Sequence, residues 1–413
     1  MKHIRSQLTL LSSWRGWSTP ETLAKIAIAA IVLVVFGWLY FFRLGDFISL
    51  GPTEQSFASH ASSLGGILHN PLNLGYKLLY GLTTSVTSQA AGNRLASVLA
   101  AAACIAIFFF ICRRWYALPA TAIATVLFAI SGWTLQTGRF GAPLMYLTLG
   151  ILSLVAAACW FKRSQESWPA FATLAIVGTL VSFSPGGIWF AAAVCIVLGK
   201  PLLAFLKQSA GKAVPLVIGL GALLAAAIVF SSLNDPSLVR AWLGLPADFP
   251  SILQIAKQLV MSVTFMTVRG PVLPEIWLAH TPVLDVASSV FLLLGAVLYA
   301  RHLTNFRSRL ILSLLIPALI LVAFNGALAL SLVLPVAYIL VAGGVAYFIH
   351  EWTRVFPRNP IARAGAYALI VILIACVARY HTERYMVAWR YSPETIATYR
   401  QDGKDIKPQN LLQ

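Results

Sequence analysis

The feature that most constrains this chain is a succession of apolar runs, each long enough to cross a bilayer as a helix and nearly free of charge. Residues 213–233 contain no charged side chain at all. In hydrocarbon every backbone N–H and C=O must be satisfied within the protein, so such runs become helices of about 17–25 residues. Runs of this kind are expected at 22–42, 95–112, 117–136, 143–161, 168–184, 186–199, 213–233, 284–300, 310–325, 327–349 and 364–379. A β-barrel would need strands of roughly ten residues with alternating polarity, and these runs are continuous. Only 10% of the residues are charged, against about 25% in a soluble domain. The expected fold is therefore all-α: a polytopic transmembrane helical protein of about eleven spans, organised as one domain over 1–413.

Charge gives the orientation. The net charge of +17 would suggest nucleic acid on a soluble protein. Here the basic residues sit in short loops between apolar runs, so membrane orientation explains them and no nucleic-acid partner is expected. With the N-terminus inside, the inner loops take more than half of the 30 basic residues but only Glu21, Glu166 and Glu351 of the 13 acids. This pattern predicts a plasma-membrane protein with a cytoplasmic N-terminus and an extracytoplasmic C-terminus. It leaves two long outer segments, 43–94 and 234–283, and an outer tail over 380–413. The tail is rich in Tyr, Trp and Arg, and beyond Pro393 it turns polar, which predicts fraying. Cys104, Cys112, Cys159, Cys195 and Cys376 lie in or beside apolar runs with no C-x-x-C pair. They read as packing residues, with neither a disulfide nor a metal cluster expected. The first apolar run follows a long polar stretch and has no small-residue cleavage site after it, so it reads as a retained helix.

The first outer segment holds the functional candidates. Gly51-Pro52-Thr53 is a break and helix start. Phe57, Ala61, Leu64 and Leu68 then recur at helical spacing, and after Asn70-Pro71 so do Leu72, Tyr76, Leu79 and Tyr80. Two interfacial helices lying at the membrane surface are expected. Glu54 either steadies the first turn of its helix or serves as a base. Asp46, beside Gly45, reads as a turn residue, and His60 as an interfacial polar residue. Between the third and fourth runs, Gln136 to Pro143 contains one charge, Arg139. Arginine suits a phosphate through planar multidentate hydrogen bonds, and it also snorkels to lipid headgroups. Arg94, at the start of the second run, could do either.

The order of "FFRLGDFISLGPTEQSFASHASSL", "NRLASVLAAAACIAIFFFICRRW" and "FAISGWTLQTGRFGAPLMYLTLGILSL" resembles the protein mannosyltransferase and aminoarabinose transferase group of the C-type (GT-C) membrane glycosyltransferases. The likeness covers residues 1–165 at motif level and the remainder by helix count. It implies transfer of a sugar from a polyprenyl-phosphate donor to an extracytoplasmic protein, lipid or glycan acceptor, inverting the anomeric centre. By the resemblance Glu54 is the general base, with Arg139 and Arg94 on the donor phosphate. The family's acidic pair, Asp-Glu, falls on Thr53-Glu54, so the aspartate is absent. Asp235, Asp248, Glu275 or Asp285 of the second outer segment could supply a second acid, with Asp46, His60, Arg269 and His280 as further candidates. No cofactor is indicated, and a divalent metal is neither required nor excluded. The alternative is a GT-C-like scaffold without catalysis, or a binder of the lipid carrier. The near-absence of ionisable groups inside the runs argues against an ion-coupled transporter.

Overall fold

The structure is a computed structural model that describes residues 34–45, 49–61, 63–87, 89–164 and 167–399. The chain divides into two compact units, Met1–Leu44 and Gly45–Gln413. In the first, residues 34–41 are helical. The expected run at 22–42 lies mostly outside the described residues.

Among the described residues the second unit is built from helices, with one isolated bridge between Leu273 and Trp277. Its pillar is Leu330–Val355, in which every residue from Leu330 to Val345 is buried. A helix that is apolar all round belongs at the centre of a bundle. Around it pack Val286–Ala300, Leu118–Ile130, Leu144–Arg163 and Phe306–Asn325. The contact with Val286–Ala300 is made backbone to backbone. A Cβ on Gly295 would meet the Leu340 carbonyl oxygen at 1.8 Å, and one on Gly344 would meet that of Phe291 at 1.9 Å. Small residues at such crossings replace the hydrophobic drive that lipid cannot supply between membrane helices. Two polar contacts fix the pillar's first turn. Trp133 Nε1 donates to Ser331 Oγ at 3.1 Å, and Thr148 Oγ1 donates to the Ser331 carbonyl oxygen at 3.1 Å.

Among the described residues five helices are long and apolar enough to cross a membrane, and up to seven if each bent pair counts as one span. The expected count of about eleven is not confirmed, and several of the expected runs take another form among the described residues. Trp168–Ser182 and Val286–Ala300 are apolar but only 15 residues long. Phe306–Asn325 continues through one 3₁₀ turn into Leu330–Val355. The run at 117–136 breaks at Ser131, where Leu118–Ile130 and Gly132–Gly138 meet at 57°. The run at 186–199 bends by 80° into Gly199–Gln208. The Pro185-Gly186-Gly187 turn is tight: Gly186 has φ 70°, and its N–H donates to the Trp242 carbonyl oxygen at 3.0 Å.

The first long loop holds three helices where two were expected: Pro52–Ala61, Leu64–His69 and Leu74–Val86. Ser63 explains the extra break, because its hydroxyl caps the second helix by accepting from the Gly66 N–H at 3.0 Å. The expected stripe therefore splits. Phe57 and Ala61 pack on Tyr76 and Tyr80, while Leu64 and Leu68 point outward, exposed. Leu78, Leu82 and Val86 form a second exposed row on Leu74–Val86.

Replacing Gly344 by Ala puts a methyl into the Phe291 carbonyl and forces the two helices apart. Overpacking of this kind costs about 1–3 kcal/mol, so Gly344→Ala should lower the thermal unfolding midpoint in detergent, whereas Ala at the open position Gly178 should leave it unchanged.

Candidate functional site

Pro52 is the first residue of Pro52–Ala61, which puts Gly51 at the cap and Glu54 in the first turn. The Glu54 side chain curls back and accepts from the Gly51 N–H at 2.9 Å, closing the helix start on itself. Its other partners come from distant segments. Arg94, from Gln89–Trp115, donates Nε to Oε1 at 3.0 Å and Nη2 to Oε2 at 2.9 Å. The Gly141 N–H, in the turn after Gly132–Gly138, donates to Oε1 at 2.7 Å. A carboxylate offers about four lone-pair sites, and four donors fill them. Glu54 is 0% exposed and Arg94 3%. Glu54, the expected base, is thus buried, fully hydrogen-bonded and bidentately paired. Arg94 is likewise committed, since Nη2 also donates to the Ser49 carbonyl oxygen at 2.8 Å.

A second carboxylate reaches Thr53 from residue 275. The Thr53 N–H donates to Glu275 Oε1 at 2.7 Å, and Thr53 Oγ1 donates to Oε2 at 2.6 Å. Glu275 is partly exposed, and with one donor on each oxygen it keeps lone pairs for others. Gly51 makes the approach possible, because a Cβ there would lie 2.3 Å from Glu275 Oε1.

Glu275 opens onto a narrow crevice with Arg94, Gln136, Arg139, Tyr385 and Tyr399. Arg139 caps Gly132–Gly138 and is 2% exposed, with its guanidinium 5.2 Å from the centre of the Tyr385 ring. The crevice totals about 250 Å³, of which about 10 Å³ admits the centre of a water molecule. That is room for about one water.

The 380–399 segment builds one wall of this crevice, which the sequence did not foretell. After Pro360–Glu383 the chain makes a π-helical turn, Arg384–Trp389, and then the helix Pro393–Tyr399. Trp389 Nε1 and Thr395 Oγ1 donate to the Pro274 carbonyl oxygen at 3.0 and 3.1 Å. Tyr399 Oη donates to the Glu275 carbonyl oxygen at 2.9 Å. Burial raises the Tyr399 phenol well above its ordinary value, so it stays a donor. The expected fraying therefore does not hold for 393–399; residues 400–413 lie outside the described residues. The aromatic density of the tail was the available signal.

A second cluster anchors the same loop from beneath. Asp285 caps Val286–Ala300 by accepting from the Ser288 N–H at 2.8 Å. Its Oδ2 lies 3.2 Å from His381 Nε2. Arg384 donates Nη1 to the Pro282 carbonyl oxygen at 3.0 Å and stacks 4.0 Å over the Trp277 ring. Asp285 is thus used in packing, and Asp235, exposed ahead of a short helix, accepts from the Ser237 N–H at 2.9 Å.

The remaining candidates do not converge on the crevice. Arg269 Nε donates to His280 Nδ1 at 3.3 Å, and both are exposed. His60 is exposed, with Nδ1 2.7 Å from the Ser56 carbonyl oxygen of its own helix. Asp46 lies outside the described residues. Among the described residues no group of three or more His, Cys, Asp or Glu is arranged to hold a metal ion.

Glu54→Gln should act on stability. It leaves the Arg94 guanidinium buried against a neutral partner, and breaking a buried pair costs about 3–5 kcal/mol. The variant should show a clearly lowered unfolding midpoint in detergent; an unchanged midpoint would mean that the pair does not hold the loop. No protein-family model matches the chain, and no curated protein matches it.

Proposed function

We propose that the chain is a membrane glycosyltransferase of the GT-C kind, transferring a sugar from a polyprenyl-phosphate donor to an extracytoplasmic acceptor. The observation that carries this reading is the Glu275 carboxylate held on Thr53 by two hydrogen bonds. Thr53 is the position at which the resemblance expects an aspartate. In this reading the acid is supplied in space from the second long loop, and Glu275 rather than Glu54 is the base.

The chemistry is an in-line displacement. The acceptor hydroxyl gives its proton to Glu275 as its oxygen bonds to the anomeric carbon. The bond from that carbon to the phosphate oxygen breaks, and the electron pair leaves on the polyprenyl phosphate, inverting the centre. Positive charge near the departing phosphate lowers the barrier. The Arg94 charge is already neutralised by Glu54, so Arg139 supplies most of that potential. The crevice admits one water as it stands, so a sugar requires the clamp of Trp389, Thr395 and Tyr399 on residues 274–275 to loosen. The basic inner loops support a plasma-membrane location with this end of the bundle outside. The chain's own residues supply the acid–base and charge roles, and the reading invokes no cofactor.

The same narrowness favours a second reading, a carrier-binding scaffold without turnover. The two separate in reconstituted protein given a polyprenyl-phosphate sugar and acceptor. The transferase reading predicts release of the carrier phosphate, and a fall of about 10²–10⁴-fold in Glu275→Gln with an unaltered unfolding midpoint. Binding with no release in the wild type contradicts catalysis, and full activity in Glu275→Gln removes that residue from the mechanism.

A further inference from the structure

A wider pocket adjoins the same threonine. It holds about 740 Å³ of open space against about 250 Å³ in the crevice, and lies between Pro52–Ala61 and the start of Leu74–Val86, lined by Thr53, Ser56, His60, Asn70, Asn73 and Lys77. Thr53 therefore lines this pocket while its hydroxyl holds Glu275.

Two features of the pocket are costly unless something binds there. Lys77 is 3% exposed, and its ammonium donates to the Asn70 carbonyl oxygen. Among the described residues no carboxylate lies within ion-pair distance of it. Burial pulls this amine down to about 8. A buried cation is normally paired, and this one has two N–H donors to spare. Asn73 is 8% exposed, sits in the left-handed region at φ 57°, and its Oδ1 has no hydrogen-bond partner. Buried amide oxygens are rarely left so. The strained backbone is fixed because the Asn73 N–H donates to the Phe183 carbonyl oxygen at 2.7 Å. One wall thus carries an uncompensated positive donor and an unfilled acceptor one helical turn apart.

We infer that this pocket is an acceptor subsite for an anionic polyol, a phosphate- or carboxylate-bearing sugar or headgroup. Lys77 supplies the counter-charge, and Asn73 Oδ1 accepts from a hydroxyl. Ser56 and His60, both exposed at the rim, add adaptable hydrogen bonds. The assignment as acceptor subsite rests on the reading of Glu275 as base; binding of the anion does not. The shared chemistry could come from a soluble phosphosugar or from a lipid headgroup displayed at the surface.

Calorimetric titration of the purified full chain in nanodiscs separates these. The probes are glucose 6-phosphate, glucuronate and uncharged methyl glucoside, in neutral phosphatidylcholine discs and in discs doped with phosphatidic acid. The anionic sugars should bind and the methyl glucoside should bind at least tenfold more weakly. Lys77→Met should weaken the anions by about 10–100-fold and leave the methyl glucoside unchanged. Asn73→Gly, which keeps the left-handed backbone, should weaken all three sugars. If phosphatidic acid alone abolishes sugar binding in the wild type but not in Lys77→Met, the occupant is a lipid headgroup at this same site. Equal binding of charged and uncharged sugars, no binding of either anion in either disc, or anion affinity unchanged in a folded Lys77→Met would each overturn the inference. Glu275→Gln serves as the control. Anion binding retained there with transfer absent even in the wild type would sink the transferase reading and leave the pocket standing.

Discussion

The ion pair between Glu54 and Arg94 is the contact on which the geometry of this end of the bundle depends. Two carboxylate oxygens gather the start of Pro52–Ala61, the first turns of Gln89–Trp115 and the turn at Gly141 into one knot. Desolvating two charges is expensive, and their mutual attraction offsets it only with excellent geometry and every lone pair filled. Both conditions are met here. The consequence is that residues 49–54 have a fixed position, and with them Thr53, whose backbone and hydroxyl present two donors to Glu275. A rigid donor pair of this kind is what a base on a loop needs if it is to be held in one place.

The two glutamates illustrate how burial divides similar groups between roles. Glu54 is sealed, with four donors on it. Glu275 has two donors and a face toward space. The first resembles a structural ligand and the second a group able to take a proton, although the sequence offers no reason to prefer Glu275 over Asp235, Asp248 or Asp285. Only the fold decides, because pairing across 222 positions is invisible to spacing. Asp285 is buried in a helix cap, and Asp235, though exposed, accepts only from the Ser237 N–H two residues on.

Much of the architecture was legible because hydrocarbon imposes helices on apolar runs, and the helix start at Pro52 followed from local chemistry. The span count was not legible. Composition does not reveal that Ser131 breaks one run, or that Gly326–Ala329 joins two others with a single turn. The glycines at 295 and 344 matter for what approaches them, which is tertiary information. In the site, Glu54, Arg94 and Arg139 stand out in the sequence by residue type, but type alone does not say that the first two satisfy each other. Tyr385 and Tyr399 belong to an aromatic-rich tail whose composition does not say that they wall the crevice. Nothing in the sequence marks Lys77, because a lone lysine on an amphipathic helix is ordinarily solvated; its burial comes from the packing around it.

The most direct test of the division between the two glutamates is a structure of the protein with a non-transferable polyprenyl phosphonate sugar bound. The account predicts the sugar beside Glu275 with its phosphonate toward Arg139, the 384–399 segment displaced, and Glu54 still closed on Arg94. A sugar seated on a Glu54 that has let go of Arg94, with Glu275 turned away, would contradict it.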